Sequence, residues 1–170
     1  MCIVPARGRA SAAAPAVFNE YQVKAAFLFN FAKFVDWPAQ KSAEGSPIVL
    51  GILGESPFGT HLDGVVKDRR INGREIRVRR FDTLDAARAA HVLFVPKSAG
   101  KRASDVAAAL AGAGVLTVGE PSTLSEAGGI ITFDVDGDRL TFSIDMDEAD
   151  RAGVRISAQL QKLAKTVRRR

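Results

Sequence analysis

Apolar residues recur every three or four positions directly after Asn19, which predicts one face of a helix. The helix is expected to end before Trp37-Pro38, because the residue preceding a proline avoids the helical conformation. Its apolar face carries Val23, Phe27, Phe31 and Phe34. Its polar side is expected to carry Lys24, Asn30 and Lys33. Leu28 and Phe29 widen the apolar face, so we expect burial over much of the helix circumference.

Short apolar runs bounded by turn residues follow at three places. They cover Pro47 to Gly54, His91 to Val95 and Val115 to Val118. Such runs are typical of strands that are covered on both faces, as in parallel sheets. Glu75 to Arg79 instead alternates charged and apolar residues, which predicts an edge strand with one solvent face.

Helices are predicted between these strands. Pro57 to Asp68 follows Ser56, a candidate N-cap, and Thr83 is placed to cap an alanine-rich helix through Ala90. A further helix is expected from Lys101 to Ala111. The alternation of strands and helices predicts an α/β fold, namely a single-domain three-layer sandwich with a mostly parallel sheet.

The last part of the chain predicts a C-terminal β-hairpin and a C-terminal helix. Asp136-Gly137 is typical of a two-residue hairpin loop. The pairs across this hairpin would be Phe133 with Leu140 and Ile131 with Phe142. The segment from Asp147 to Lys165 carries apolar residues at helical spacing, so it is interpreted as one helix.

The composition is that of one ordinary globular domain. The chain has 170 residues, of which 46% are hydrophobic and 25% charged. Its net charge of +5 includes the three arginines at 168–170, so the charge does not indicate nucleic acid as a partner. Cys2 is the single cysteine, which excludes an internal disulfide. No apolar run approaches the roughly 20 residues that a membrane-spanning helix needs.

Three segments are therefore expected: residues 1–18, 19–166 and 167–170. The first is interpreted as a flexible tail or the remnant of an export signal, the second as the folded domain and the third as a basic tail. Small residues between Ser11 and Ala16 look like the cleavage end of a secretory signal, but the basic and apolar regions of such a signal are not in order. A longer signal, a degraded one and an ordinary tail all remain open.

The catalytic and metal-binding motifs that the chain approaches are each incomplete. The turn from Gly54 to Gly59 has the glycine spacing of a phosphate loop but lacks its lysine, so a capped strand-to-helix turn is favoured. Asp134, Asp136 and Asp138 alternate like a calcium loop without its glycine, and are interpreted as solvated carboxylates. His61 and His91 form no local metal pair. We therefore expect no catalytic residues, no metal and no cofactor.

Two groups of residues remain as candidates for binding. The carboxyl ends of parallel strands commonly form a ligand crevice, and a small-molecule-binding domain is one functional hypothesis. Its crevice would be lined by Gly54, Glu55, Ser56, Pro57, Lys97, Ser98, Glu120 and Ser122. The aromatic stripe is most simply core, with a partner-binding surface as the alternative interpretation. That surface would comprise Phe27, Phe31, Phe34 and Trp37.

Seven basic residues between Lys67 and Arg80 could suggest a nucleic-acid or membrane surface. Arg77 and Arg79, however, alternate with Ile76 and Val78, so the charges are expected on the solvent face of the edge strand.

Five ordered sequence blocks resemble the YfiR-like family of small exported bacterial proteins. They read KAAFLFNFAKFVDWP at 24–38, LGESPFG at 53–59, HVLFV at 91–95, AGGIITF at 127–133 and AGVRISAQL at 152–160. The likeness extends from about Tyr21 to Lys165. Ala90 stands where many relatives have a cysteine, so a disulfide-based control involving that position is not expected here.

The resemblance implies a non-catalytic periplasmic regulator. Such a protein would restrain an inner-membrane diguanylate cyclase by binding its periplasmic portion, and an outer-membrane lipoprotein would relieve the restraint by sequestering the regulator. Cyclic di-GMP and biofilm formation would then follow envelope conditions. The partner could also be another inner-membrane sensor, and pairing with a second copy as a homodimer is left open.

Overall fold

The computed structural model describes residues 19–124 and 128–170, apart from the side chains at 102 and 103. The predicted tail or signal remnant at 1–18 lies outside these residues. Seven α-helices are found in the described part: α1 (Glu20–Lys33), α2 (His61–Val66), α3 (Leu84–Ala87), α4 (Val106–Ala109), α5 (Pro121–Leu124), α6 (Met146–Ala152) and α7 (Ala158–Leu163). Two 3-10 segments cover Ala39–Lys41 and Lys97–Asp105, the latter kinked at Gly100.

Ten strands accompany these helices in the described residues. They are β1 (Val35–Asp36), β2 (Ile48–Leu53), β3 (Arg70–Ile71), β4 (Arg74–Phe81), β5 (Val92–Val95), β6 (Leu116–Gly119), β7 (Ile131–Asp136), β8 (Arg139–Asp145), β9 (Arg155–Ile156) and β10 (Thr166–Arg168). Eight of them form one sheet in the order β10-β8-β7-β6-β5-β2-β4-β3. Strands β1 and β9 form a separate antiparallel pair.

The central strands β4, β2, β5, β6 and β7 all run parallel, which confirms the predicted α/β class. Strands β2, β5 and β6 are buried along their whole length, as their uninterrupted apolar runs predict. Strand β4 lies next to the end of the sheet, where β3 pairs only with Arg74 and Glu75. Its exposed Arg77 and Arg79 confirm the predicted solvent face.

Two apolar clusters cover opposite faces of the sheet, because successive strand residues point in opposite directions. On β2, Ile48 and Leu50 contribute to the cluster that also contains residues of α1, α2, α6 and α7. Val49 and Leu53 contribute to the cluster that contains residues of α3, α4 and α5. This division confirms the three-layer arrangement.

Helix α1 packs an aromatic face on the sheet. The Asn19 side chain caps the helix by accepting from the backbone N–H of Gln22 at 3.2 Å. Phe31 is fully buried, and its ring lies 5.0 Å from that of Phe142 and 5.8 Å from that of Phe133. The helix ends at Lys33, just before β1.

The predicted helices are longer than the observed ones. Helix α2 begins at His61, and the Ser56 hydroxyl accepts from the Phe58 N–H inside the preceding turn, so the prediction of Ser56 as N-cap is wrong. Thr83 does cap α3, as predicted, but that helix ends at Ala87. The helix predicted from Lys101 to Ala111 is also shorter than expected, because residues 101–105 belong to the 3-10 segment and the α-helical part is only α4.

The hairpin forms as predicted, but with a different register. Phe133 pairs with Phe142, and Asp136 pairs with Arg139, so Gly137 and Asp138 form the loop. The predicted register is wrong by two residues on one strand. The left-handed φ of +65° at Gly137 suits a position inside the loop.

The prediction of one helix from Asp147 to Lys165 is also wrong. Gly153 adopts φ +82° and ends α6, and its N–H donates to the carbonyls of Ala149 and Asp150. Strand β9 follows, and Ser157 then caps α7. The last segment forms β10, which pairs in parallel with β8 and includes Val167 and Arg168 of the predicted basic tail.

Candidate binding crevice

A crevice of about 330 Å³ opens where the carboxyl ends of β5 and β6 meet the start of α1. It is lined by Glu20, Lys97, Glu120, Pro121, Ser122, Phe133 and Val135. Helix α1 supplies Glu20, the segment after β5 supplies Lys97, and Glu120 directly follows β6. The crevice therefore lies at the sheet edge where α/β proteins commonly bind ligands.

A buried lysine lies beside this crevice. The Lys24 side chain is fully buried, and its Nζ donates to Oε1 of Glu120 at 2.5 Å and to Oε1 of Glu20. Its ammonium also lies 4.8 Å from the centre of the Tyr21 ring and 5.6 Å from that of Phe133. The prediction that Lys24 lies on the polar side of α1 is wrong.

The sequence positions of the two carboxylates explain this arrangement. Glu20 precedes Lys24 by one helical turn, which brings the two side chains together on the helix surface. Glu120 is buried at the end of β6, where its charge must be compensated. A lysine surrounded by carboxylates and aromatic rings satisfies that requirement.

The carboxylates also act on Tyr21. Burial raises the pKa of its phenol, and the nearby negative charges of Glu120 and Glu20 raise that pKa further. Two carboxylates share one ammonium here, so Lys24, Glu20 and Glu120 carry one net negative charge when all three are ionised. The arrangement can hold α1 against the sheet and place negative charge at the crevice wall.

The structure brings three of the eight predicted crevice residues together. Lys97, Glu120 and Ser122 line the cavity, with Lys97 and Ser122 exposed. Ser98 is exposed beside Lys97 but is not among the lining residues.

The turn predicted after β2 does not line this cavity. Gly54 is buried, and its N–H donates to the Phe81 carbonyl at 2.8 Å, while its own carbonyl accepts from Arg80 Nε at 3.0 Å. Glu55 and Ser56 are exposed, and Pro57 is partly buried. A ligand-binding role for these four residues stays a prediction.

The aromatic stripe lies largely in the core. Phe31 is fully buried, while Phe27, Phe34 and Trp37 are partly buried and pack against the apolar cluster that includes α1. The Trp37 indole donates from Nε1 to the carbonyl of His91 at 3.0 Å. These contacts favour the core interpretation, and partner binding by the stripe stays a prediction.

A second polar cluster, centred on His91, lies at the amino ends of β2 and β5. His91 is buried, and its Nδ1 accepts from the Val49 N–H at 3.0 Å. Its Nε2 lies 2.9 Å from the Lys41 carbonyl, to which it donates when Nδ1 is the acceptor. This geometry requires neutral imidazole. Burial lowers the pKa of His91, and the positive charges of Lys41 and Arg74 lower it further. The hydrogen bond to the Lys41 carbonyl acts in the opposite direction and raises this pKa, but the net shift is downward.

Arg74 and Lys41 complete the His91 cluster. Arg74 is buried, unlike the neighbouring arginines of β4, and its Nε donates to the Ser46 carbonyl at 2.7 Å. Lys41 donates to the carbonyls of Arg88, at 2.8 Å, and Ala90. Burial and the Arg88 charge lower the pKa of Lys41 to about 8. No local sequence pattern predicts this cluster, because its members come from three separate segments.

The described residues contain no group of three or more His, Cys, Asp or Glu side chains that could hold a metal ion. Asp134 of the predicted carboxylate group pairs with Lys165 Nζ at 3.1 Å. Asp136 at the end of β7 and Asp138 in the hairpin loop are exposed, as expected of solvated carboxylates. Over the same described residues, no helix has the length and apolar character needed to cross a membrane.

Comparisons with known proteins agree with the sequence resemblance. The model of a family described as YfiR/HmsC-like matches residues 21–165. A crystal structure of a conserved domain protein from Vibrio cholerae O1 biovar El Tor str. N16961 is similar, with a TM-score of 0.58 and 10% sequence identity. The match covers 88% of this chain and 60% of the Vibrio chain. That likeness shows a shared fold.

Proposed function

Since this chain belongs to the YfiR/HmsC-like family, we propose that it is a non-catalytic periplasmic regulator that restrains a membrane signalling protein. The partner we propose is the periplasmic portion of an inner-membrane diguanylate cyclase, so the chain would lower cyclic di-GMP and biofilm formation. An outer-membrane lipoprotein that sequesters the chain would release the cyclase. The family match over residues 21–165 carries this proposal, because it spans nearly all of the folded domain.

The charged groups of the crevice support a regulatory rather than a catalytic role. Glu120 is held by Lys24, and its negative charge helps to raise the pKa of the nearby, partly buried Tyr21 phenol. A general base needs a carboxylate that is positioned to take a proton from a substrate. Here the buried carboxylate is instead engaged with its own chain.

Restraint by binding has a clear thermodynamic form. The regulator shifts the cyclase toward an inactive state only in proportion to its preference for that state. A shift from 1% to 99% inactive requires a preference of about 10⁴-fold. A lipoprotein that binds the same surface would remove this preference by competition.

The proposal is tested by measuring cyclic di-GMP in the native host. Deletion of the gene should raise the nucleotide concentration, and restoring the gene should reverse the rise. The variant Phe31→Asp provides the matched control, since a charge at this fully buried position should prevent folding and hence restoration. An unchanged level after deletion would contradict the proposal of cyclase restraint.

A periplasmic small-molecule-binding domain that feeds a membrane sensor is the second candidate. The crevice of about 330 Å³ favours it, because the exposed Lys97 and Ser122 offer a charged and a polar group beside the apolar Phe133. A ligand that binds the folded state should raise the melting temperature in a screen of small metabolites. The same shift should disappear in Ser122→Trp, which fills the crevice at an exposed position, whereas an equal shift in that variant would contradict binding there.

A further inference from the structure

Strand β10 forms one end of the eight-stranded sheet, and no strand from residues 19–124 or 128–170 pairs with its outer side. It pairs in parallel with β8, from Thr166 opposite Ser143 to Arg168 opposite Asp145. All three of its residues are exposed. An exposed edge strand offers unpaired backbone groups to any further strand.

The direction of these backbone groups follows from one hydrogen bond. The Lys165 N–H donates to the Phe142 carbonyl at 2.8 Å, so the backbone groups of Lys165 face β8. Because the direction alternates along a strand, those of Val167 also face β8, and those of Thr166 and Arg168 face outward. The outer edge therefore presents an alternating set of donors and acceptors.

Apolar side chains accompany this edge. Leu163 is 67% exposed and precedes β10, and Val167 on β10 itself is 41% exposed. Only three large hydrophobic side chains are exposed in the described residues. Leu163 and Val167 are two of them, and the third is Val135 on the neighbouring hairpin. A strand added to β10 would bury part of this apolar surface.

The charge of the edge indicates the kind of strand it would accept. Residues 162–170 contain five basic side chains and no acidic one. Lys165 pairs with Asp134 at 3.1 Å and Arg169 lies 3.7 Å from Asp150, but these carboxylates belong to β7 and α6 and not to the edge strand. Within the described part of the chain, Lys162 and Arg168 have no ion pair within 4 Å. A second copy would bring like charges together at this edge, which disfavours self-pairing.

We propose that the outer edge of β10 binds an extended, acidic segment of a partner protein as an additional strand. This inference rests on the proposed regulatory function for its biological meaning, since it supplies the surface through which the regulator would hold its partner. Main-chain hydrogen bonds from Thr166 and Arg168 provide the pairing, and the basic side chains select acidic residues. Val167 and Leu163 contact the apolar residues that alternate with the acidic residues of the partner segment.

Two short labelled peptides test the proposal with the purified full chain. One alternates glutamate and valine, and the other alternates lysine and valine. We expect the glutamate peptide to bind at least about tenfold more tightly at low ionic strength, with the preference weakening as salt is added. Peptide binding should also slow the exchange of the amide protons of Thr166 and Arg168, measured by NMR.

Three variants locate the binding. Thr166→Pro removes one outward N–H and should lower the affinity for the glutamate peptide at least about tenfold. Thr166→Val retains that donor and should bind the peptide with the wild-type affinity. Arg168→Glu should abolish the preference for glutamate. Arg155→Glu makes the same charge change at an exposed residue of β9 and should leave it unchanged.

Several results would overturn the proposal. These are equal binding of the two peptides, binding without protection of the two amides, or full binding by Thr166→Pro. A dimer in sedimentation that Thr166→Pro dissociates would assign the edge to a second copy instead. Because these measurements use the purified chain, their failure is distinguishable from an unchanged cyclic di-GMP level in the host.

Discussion

Lys24 on α1 and Glu120 at the end of β6 form a buried ion pair with a distance of 2.5 Å between Nζ and Oε1. The pair joins the first helix to the centre of the sheet beside the crevice. Both side chains are almost entirely excluded from solvent, so neither charge is stable there without the other. The pair thus fixes the start of α1 at the carboxyl ends of the strands.

We expect Lys24→Met to lower the free energy of unfolding by about 3–5 kcal/mol, because it leaves the Glu120 carboxylate buried without its cation. Urea denaturation followed by circular dichroism measures this loss. The double variant Lys24→Met with Glu120→Leu should recover much of it, since no buried charge remains. Additive losses in the double variant would contradict the coupling of the two residues.

Phe31→Ala should lower the free energy of unfolding by about 3–5 kcal/mol, because it removes a buried ring that contacts Phe133 and Phe142. Thermal or urea denaturation measures the effect. Leu163→Ala is the matched control, since that side chain is mostly exposed and its truncation should change stability by less than about 0.5 kcal/mol. Comparable losses in the two variants would argue against the packing of α1 described above.

His91 should make the domain less stable in mild acid. The pKa of His91 is lowered in the folded state, so below about 6.5 the unfolded chain binds more protons than the folded one. The free energy of unfolding should therefore fall as the pH decreases from 6.5 through the lowered pKa of His91. Urea denaturation at a series of pH values measures this decrease.

Two histidine variants separate this effect from other titrations. His91→Asn retains an acceptor for the Val49 N–H and should flatten the decrease below about pH 6.5. His61→Gln changes the partly exposed histidine of α2 and should leave the decrease intact. If the stability of His91→Asn falls with decreasing pH as steeply as that of the wild type, His91 is not the source of the decrease.

Lys41 should contribute a second rise of stability with pH, in the alkaline range. Its pKa of about 8 in the folded state lies below the ordinary value of 10.5, so the unfolded chain binds more protons between these values. The free energy of unfolding should rise between pH 8 and 10.5. Lys41→Met should lose this rise relative to Lys67→Met, an exposed control, and identical profiles for the two variants would contradict it.

The central strands were predictable because β2, β5 and β6 are buried on both faces. Burial of this kind excludes polar residues from every position, which leaves an uninterrupted apolar run in the sequence. The family resemblance, carried by blocks along the chain, is likewise confirmed by the match over residues 21–165.

The hairpin register was not predictable from the apolar pattern. A shift of two residues keeps every side chain on the same face of the sheet, so both registers pair apolar residues. The observed register instead depends on where the loop needs a left-handed residue. Gly137 meets that need as a loop residue, with Asp136 paired to Arg139.

The C-terminal segment and Lys24 show a second reason why structure could not be predicted from the local sequence. Val154 and Ile156 fit helical spacing, but their alternation is equally that of the short strand which pairs with β1. Lys24 looks like a solvent-facing helix residue until Glu120, 96 positions away, supplies its buried partner. Contacts between distant segments decide both cases, and the local pattern does not contain them. The same is true of the crevice, whose wall combines Glu20 with residues that follow β5 and β6.

The pairing of β1 with β9 joins Val35 to Ile156, so it constrains the order in which the molecule folds. Helix α1 can form early, but the pair that secures its end requires a segment synthesised much later. Contacts between such distant positions slow folding, because a long loop must close first. Until the loop closes, part of the aromatic face of α1 is exposed to solvent and is prone to associate with other chains. Early formation of β9, or a chaperone that shields this helix, would shorten the period in which such association can occur.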